Sequence, residues 1–176
     1  REKHIFLSTT DSYAAQNFHD DNGIYIFAHG NSNKVAKYDS PNNLPLDAAK
    51  LAEHILDLSA QYENDAQEGN ASMVFLYACH TGEGENSLAQ QLSSILNEHE
   101  TFVIAPMGIL ESTNSPLYPQ DGRYSGVKDT KTKGEGAWGV YKNGDLLTKI
   151  RGNRKPTRST VKFKMFIDEI IPNITN

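Results

Sequence analysis

The sequence contains one cysteine in 176 residues, Cys79, and this scarcity excludes several classes of protein. A lone thiol cannot form an internal disulfide, so the chain is not a disulfide-stapled scaffold. It also cannot supply the several thiolates of a structural zinc site. The sequence has no apolar run of about 18 residues either, so it contains no candidate membrane-spanning helix. Cys79 is therefore a free thiol, either packed in a core or reactive in a site.

The sequence also has only a small excess of one charge sign over the other. The chain carries 17 basic and 22 acidic side chains, for a net charge of −5. Such a mildly acidic chain lacks the electrostatic footprint of a general nucleic-acid binder. The basic residues concentrate near the C-terminus, and we expect them to meet solvent or an anionic partner. They are Lys149, Arg151, Arg154, Lys155 and Arg158.

The length and the 38% of apolar residues predict one domain over residues 1–176. A domain of this size buries about 70% of the surface of its unfolded chain, so it needs no disulfide or metal for stability. The first residue is Arg1, as expected for a domain excised from a longer protein.

Short apolar runs alternate with segments of helical periodicity over the first two thirds of the chain. Unbroken apolar runs are typical of strands buried on both faces of a sheet. An alternation of strands and helices predicts right-handed crossovers and a mostly parallel sheet with helices on both faces, that is, a three-layer α/β fold. The predicted strands are residues 4–7, 23–28, 73–78 and 101–105, and the predicted helices are residues 46–60 and 86–96.

The last third of the sequence has a different character. Residues 109–135 are rich in polar residues, Pro and Gly, which predicts a long irregular segment that forms a pocket. Residues 136–147 predict a β-hairpin turning at Asn143-Gly144. Residues 161–171 predict a closing amphipathic helix, which Pro172 ends.

Two of the predicted buried strands run into chemically capable residues. The first is followed by His29-Gly30 and the second by Cys79-His80. Because the carboxyl ends of parallel strands meet at one edge, we expect His29 and Cys79 to lie side by side there. A free thiol is mostly protonated at neutral pH, and an adjacent imidazole can accept its proton. We also expect a helix N-terminus near residue 86 to favour the thiolate.

These two segments, residues 24–30 and 74–79, resemble the motifs of the caspase-like (clan CD) cysteine peptidases. That group includes caspases, legumains, gingipains, clostripain-like peptidases and the self-processing domains of bacterial toxins. Its motifs are an apolar strand ending in His-Gly and a second strand ending in a small residue and Cys, about 50 residues apart in caspases. The caspase Gln-Ala-Cys block is absent, so the likeness is greatest to clostripain-like and toxin-borne bacterial members. It extends over residues 23–106.

The resemblance implies a caspase-like sandwich with a C-terminal hairpin and a cysteine endopeptidase activity. It implies that Cys79 is the nucleophile and His29 the acid/base, with N–H groups of Gly30 and Cys79 binding the oxyanion. It places the substrate pocket near Met107, Glu111 and Asp121, where a carboxylate would select a basic P1 residue and Met107 an apolar one.

The resemblance also bears on effectors and origin. It implies no metal or cofactor. Toxin-borne members suggest an anionic activator such as inositol hexakisphosphate on the basic segment. They also suggest self-processing and a bacterial effector or toxin, either secreted or cytoplasmic.

Three other interpretations stay open at this stage. The chain could be a catalytically silent caspase-like module used for binding or scaffolding. The two motifs could instead be purely structural, since a lone Cys79 is typical of a small buried hydrophobic residue and a lone His29-Gly30 of a turn. An α/β-hydrolase is disfavoured because Tyr77 and Thr81 stand where its nucleophile elbow needs glycine. We expect His80 to point away from the site, as the next residue along a strand, and to have a structural or substrate-side role.

Overall fold

The computed structural model describes residues 3–6, 23–36, 45–57, 72–97, 100–112, 124–154 and 156–170. Asp121 and Lys155, which the sequence analysis singled out, lie outside these ranges. The extent of the domain, residues 1–176, stays a prediction.

The described residues form eleven strands and three helices, numbered here in chain order. The strands are β1 (Lys3–Phe6), β2 (Gly23–Phe27), β3 (His29–Gly30), β4 (Val35–Ala36), β5 (Pro45–Leu46), β6 (Met73–Tyr77), β7 (Phe102–Pro106), β8 (Ile109–Ser112), β9 (Tyr124–Lys128), β10 (Ala137–Lys142) and β11 (Asp145–Arg151). The helices are α1 (Ala48–Asp57), α2 (Leu88–Ile95) and α3 (Arg158–Ile170). None of these helices is long and apolar enough to cross a membrane.

A six-stranded sheet forms the centre, in the order β1-β2-β6-β7-β10-β11. The four strands from β1 to β7 pair in parallel. β10 then pairs antiparallel with β7, and β11 pairs antiparallel with β10. The prediction of a mixed α/β fold on a mostly parallel sheet is therefore confirmed.

Alternate residues of the central strands supply two separate cores. Ile24 and Leu76 face one side of the sheet, where residues of α1 and α2 cover them. Tyr25 and Phe75 face the other side, stacked with ring centroids 4.8 Å apart, in a cluster that includes Val161 of α3. Burying each such side chain contributes about 1.5–3 kcal/mol, so both sides hold the sheet in place.

β10 and β11 are joined by a two-residue turn. Asn143 and Gly144 both have positive φ, 52° and 83°. Positive φ at both central residues is the geometry of a type I′ turn, which Asn-Gly favours because both residues tolerate the left-handed region. Ser93 Oγ accepts a hydrogen bond from the Gly144 N–H at 3.0 Å, so the turn is anchored to α2.

The prediction of an irregular segment over residues 109–135 is wrong for residues 109–112 and 124–128, whereas residues 113–123 lie outside the described part of the chain. β8 and β9 form an antiparallel pair in which Ile109 lies opposite Lys128 and Leu110 opposite Val127. Val127 is buried in the second core, and its burial secures this pair. The two strands have four and five residues, too few for a clear period-two signal, and the sequence around them is rich in Ser, Gly and Asp.

The interpretation of His29-Gly30 as the end of a central strand also needs correction. β2 ends at Phe27, and His29–Gly30 is the first strand of a separate three-stranded sheet, β3-β4-β5. The chain therefore leaves the central sheet one residue before the histidine.

Candidate active site

Strand register brings the two motifs to one edge of the sheet. Phe27 lies opposite Tyr77 at the ends of β2 and β6, and the Ala28 N–H donates to the Tyr77 carbonyl at 3.2 Å. Two residues further on, Gly30 lies directly against the second motif. A Cβ built on Gly30 would be 2.9 Å from the Ala78 Cβ and 3.1 Å from the Cys79 carbonyl oxygen. The segments around His29 and Cys79 are thus in contact.

His29 is exposed to solvent and is positioned by a tight connection between β3 and β4. Asn31 Oδ1 accepts hydrogen bonds from the N–H groups of Asn33 and Lys34, at 2.8 and 2.9 Å. The Asn31 N–H donates to the Lys34 carbonyl at 2.9 Å. These bonds close a compact turn, a common role of Asn side chains, and hold the imidazole-bearing strand at the edge.

Cys79 lies on a turn that follows β6, not on the strand itself. The buried Thr81 hydroxyl donates to the Ala78 carbonyl at 2.8 Å and closes this turn. The His80 N–H donates to the Gly108 carbonyl at 2.8 Å, and the Gly82 N–H donates to the Pro106 carbonyl at 2.9 Å. The backbone that follows the thiol is therefore fixed to the end of β7 and to Gly108 just beyond it.

The Cys79 sulfur contacts the backbone of β8. The Leu110 N–H donates to Sγ at 3.3 Å, and Sγ lies 3.6 Å from the Leu110 carbonyl oxygen. Among the described residues these are the hydrogen bonds of the thiol, which is half-buried. The sequence could not predict this contact, because it is made by backbone atoms of a residue 31 positions away and does not depend on the residue type at position 110.

His80, the residue after Cys79, forms a carboxylate–imidazole pair with Glu83. Its Nδ1 lies 2.5 Å from Glu83 Oε2 and 3.4 Å from Thr130 Oγ1. Strand alternation does not apply to His80, because residue 80 is in the turn with a φ of +64°, so the expectation that it points away from Cys79 stays a prediction. Such a left-handed conformation is costly for a residue other than glycine and is commonly retained at functional turns.

α2 begins at Leu88, near the position expected from the sequence, and its effect on the thiol stays a prediction. Its first N–H groups are already bonded within the protein. The Leu88 N–H donates to the Ser32 carbonyl at 2.7 Å, and the Ala89 N–H donates to the Thr81 carbonyl at 2.9 Å. Ser87 caps the helix by accepting from the Gln90 N–H at 3.2 Å. These donors tie the β3–β4 connection and the Cys79 turn to α2.

Of the predicted pocket residues, Met107 and Glu111 lie just beyond β7, on the segment that contacts Cys79. Met107 is half-buried, and its N–H donates to the Ala137 carbonyl at 2.8 Å. Glu111 pairs with Lys128 across β8 and β9 at 3.0 Å, and both side chains are about half exposed. Of the two carboxylates that could select a basic P1 residue, Glu111 is therefore already paired, and Asp121 lies outside the described residues.

The predicted anion-binding residues separate into two groups. Lys149, Arg151 and Arg154 line one groove between β11 and α3. Arg158 is buried and does not line it. The described residues contain no group of three or more side chains able to hold a metal ion.

Fold and site together define a mixed α/β protein that holds a free thiol and a histidine at the carboxyl edge of a parallel sheet. The chain belongs to a family described as Domain of unknown function (DUF8616), whose model matches residues 4–125 and includes both motifs. No curated protein and no solved structure matches the chain.

Proposed function

We propose that this chain is a cysteine peptidase of the caspase-like type, with Cys79 as nucleophile and His29 as its acid/base partner. One observation carries the proposal, namely that Gly30 packs against the Cys79 carbonyl, so that the two motifs follow neighbouring parallel strands and touch. A caspase-like sandwich is the corresponding proposal for the fold.

The chemistry follows from the residues at this edge. The His29 imidazole accepts the thiol proton, and the thiolate sulfur attacks the peptide carbonyl carbon to form a tetrahedral intermediate. The imidazolium returns the proton to the leaving amine as the C–N bond breaks, which leaves a thioester. Water, deprotonated by the same imidazole, then hydrolyses the thioester and regenerates the thiol.

Backbone N–H groups would stabilise the oxyanion, each donor contributing about 3 kcal/mol. The N–H groups of His80 and Gly82 already donate to carbonyl oxygens of the Pro106–Gly108 segment. They are therefore not the oxyanion donors, and the proposal assigns this role to Gly30 and Cys79.

The neighbourhood of β8 favours an apolar P1 residue. Lys128 neutralises Glu111 at 3.0 Å, so a basic substrate side chain would have to displace an existing cation. Met107 offers an apolar wall on the same segment. A peptide library should therefore show cleavage after apolar residues, whereas cleavage confined to Arg or Lys would contradict this assignment.

The test of the peptidase proposal measures thiol reactivity with an acyloxymethyl ketone, followed by cleavage of the peptide library. We expect His29→Gln to slow labelling by about 10²–10⁴-fold, the usual contribution of a positioned acid/base group. The matched control is His54→Gln, which changes an exposed histidine on α1. Equal labelling rates for both variants would remove His29 from the mechanism.

Self-processing, as the resemblance implies for a bacterial toxin or effector, has its own measurement. The intact mass of the purified chain is followed over time, with Cys79→Ala as the control. Fragments that appear in both samples would exclude self-cleavage.

A catalytically silent module of the same fold is the second candidate. It is favoured by the hydrogen bonds of the Cys79 sulfur, which go to the Leu110 backbone. A silent module predicts that Cys79 labels no faster than a small free thiol. Labelling that is faster in the folded than in the unfolded protein would exclude it.

A further inference from the structure

The groove between β11 and α3 has no role in the peptidase proposal, and it is lined by both apolar and basic side chains. It encloses about 570 Å³, within the range of about 300–1,000 Å³ usual for ligand clefts. Its walls include Phe163 and Ile150, and its rim carries four cations, Lys149, Arg151, Arg154 and Lys164. Glu135 pairs with Arg151 and Asp168 with Lys164, so these six charged groups retain a net positive charge.

The position of the groove in the fold restricts what can occupy it. One wall is β11, which lies at the edge of the central sheet among the described strands. The other wall is the first half of α3, where Phe163 is 66% exposed. An edge strand presents backbone N–H and C=O groups that can pair with an added strand. A cleft between such a strand and a helix suits an extended peptide, whose alternate side chains reach the helix.

Charge selects the chemistry of that peptide. A cationic rim above an apolar wall matches a segment in which acidic residues alternate with apolar ones. A second copy of this chain, docked through the same groove, would place its own four cations against these four. Inositol hexakisphosphate, which is entirely polar, would leave Phe163 without an apolar partner.

We propose that the β11–α3 groove binds an acidic, partly apolar peptide segment that adds to β11 as an extra strand. The binding requires neither Cys79 nor His29, so it goes beyond the proposed peptidase activity and stands or fails separately. Phe163 contacts the apolar side chains, while Lys149 and Arg154 bind the acidic ones.

The probe is a fluorescein-labelled peptide of seven residues, the length of β11, in which glutamate alternates with valine. Binding is measured by fluorescence anisotropy on the otherwise intact Cys79→Ala chain, so that cleavage cannot remove the probe. We expect saturable binding that weakens with salt, as screening of exposed charges requires. The same peptide with lysine in place of glutamate should not bind.

Matched variants separate the groove from general surface effects. Arg154→Glu should weaken binding about tenfold or more, as expected for losing a charge-assisted contact, whereas Lys50→Glu on α1 should not. Phe163→Ser should weaken it similarly, whereas Phe166→Ser should not. Phe166 is 56% exposed on the same helix but does not line the groove. Far-ultraviolet circular dichroism and urea unfolding verify that all four variants fold.

N-methylation of alternate peptide amides tests strand addition itself. Methylating the amides that face β11 should abolish binding, and methylating the other set should preserve it. Equal effects from both sets would overturn the proposal, as would unchanged binding in Arg154→Glu or Phe163→Ser. Inositol hexakisphosphate that binds wild type and Phe163→Ser equally, and displaces the peptide, would assign the groove to polyphosphates instead. Sedimentation that shows a dimer lost in Phe163→Ser would assign it to a second copy.

Discussion

Replacing Gly30 by alanine tests the contact on which the candidate site depends. The added Cβ would lie 2.9 Å from both the Ala78 Cβ and the Thr81 Cγ2, and 3.1 Å from the Cys79 carbonyl oxygen. Ala78 and Thr81 are buried, and a hydrogen bond from Thr81 Oγ1 holds the turn between them. None of these atoms is the flexible end of a long side chain. The methyl group must therefore push β3 away from the Cys79 turn.

Overpacking of this kind lowers the free energy of unfolding by about 1–3 kcal/mol. Because the methyl group contacts three atoms of one turn, we expect a loss near the middle of this range, about 2 kcal/mol. Urea unfolding followed by circular dichroism measures this free energy. With a slope of about 2 kcal/mol/M, the unfolding midpoint of Gly30→Ala should fall by about 1 M. Under the proposed function, labelling of Cys79 should also slow, because His29 moves with its neighbour.

The matched control is Gly134→Ala. A Cβ at Gly134 would meet only Thr132 Oγ1, at 3.4 Å, so this variant should unfold at the wild-type midpoint or slightly above it. If Gly30→Ala is as stable as Gly134→Ala, β3 does not pack on the Cys79 turn. The physical basis of the proposed dyad would then be lost.

Three further substitutions probe the framework around this site by urea unfolding. The buried Tyr141 hydroxyl donates to the Gly82 carbonyl at 2.6 Å, so Tyr141→Phe should lower the free energy of unfolding by about 1–2 kcal/mol at neutral pH. Burial also raises the pKa of Tyr141. Above about pH 10 this tyrosine loses its proton only in the unfolded chain, so the free energy of unfolding should fall more steeply with pH in wild type than in Tyr141→Phe. Parallel pH profiles of the two proteins would contradict this. Ser87→Ala removes the cap of α2 and should cost about 1 kcal/mol, whereas an unchanged midpoint would show that the bond to the Gln90 N–H contributes nothing. Gly152→Ala places a Cβ 2.6 Å from two carbonyl oxygens and should cost about 3 kcal/mol or more; a loss below that of Gly30→Ala would refute this ranking.

The central strands were predictable because both of their faces are buried. All five residues of β6 are buried, as are all five of β7, so the sequence shows unbroken apolar runs. Burial on both faces removes the polar residues that would otherwise alternate with apolar ones, and only an α/β sheet commonly requires this. The same runs end near His29 and Cys79, which made the contact between the two segments predictable from the order of the parallel strands.

The small strands and the environment of the sulfur were not predictable in the same way. β3 has two residues and is held by its contact with the Cys79 turn, which no local pattern encodes. The Leu110 contact uses backbone atoms, so any residue except proline could donate that N–H. The left-handed φ of His80 likewise follows from hydrogen bonds to distant segments and not from its residue type.

The turn that carries Cys79 is restrained from several directions at once, and this bears on what the thiol can do. β7 and the Met107–Gly108 segment bind its backbone N–H groups, and α2 donates to the Thr81 carbonyl. From β10, the buried Tyr141 hydroxyl donates to the Gly82 carbonyl. A buried hydrophobic cysteine needs only apolar neighbours, whereas a nucleophile must be held in a fixed geometry by its surroundings. Restraint from three elements, with the thiol left half-exposed, supports the proposed role of Cys79 as a nucleophile.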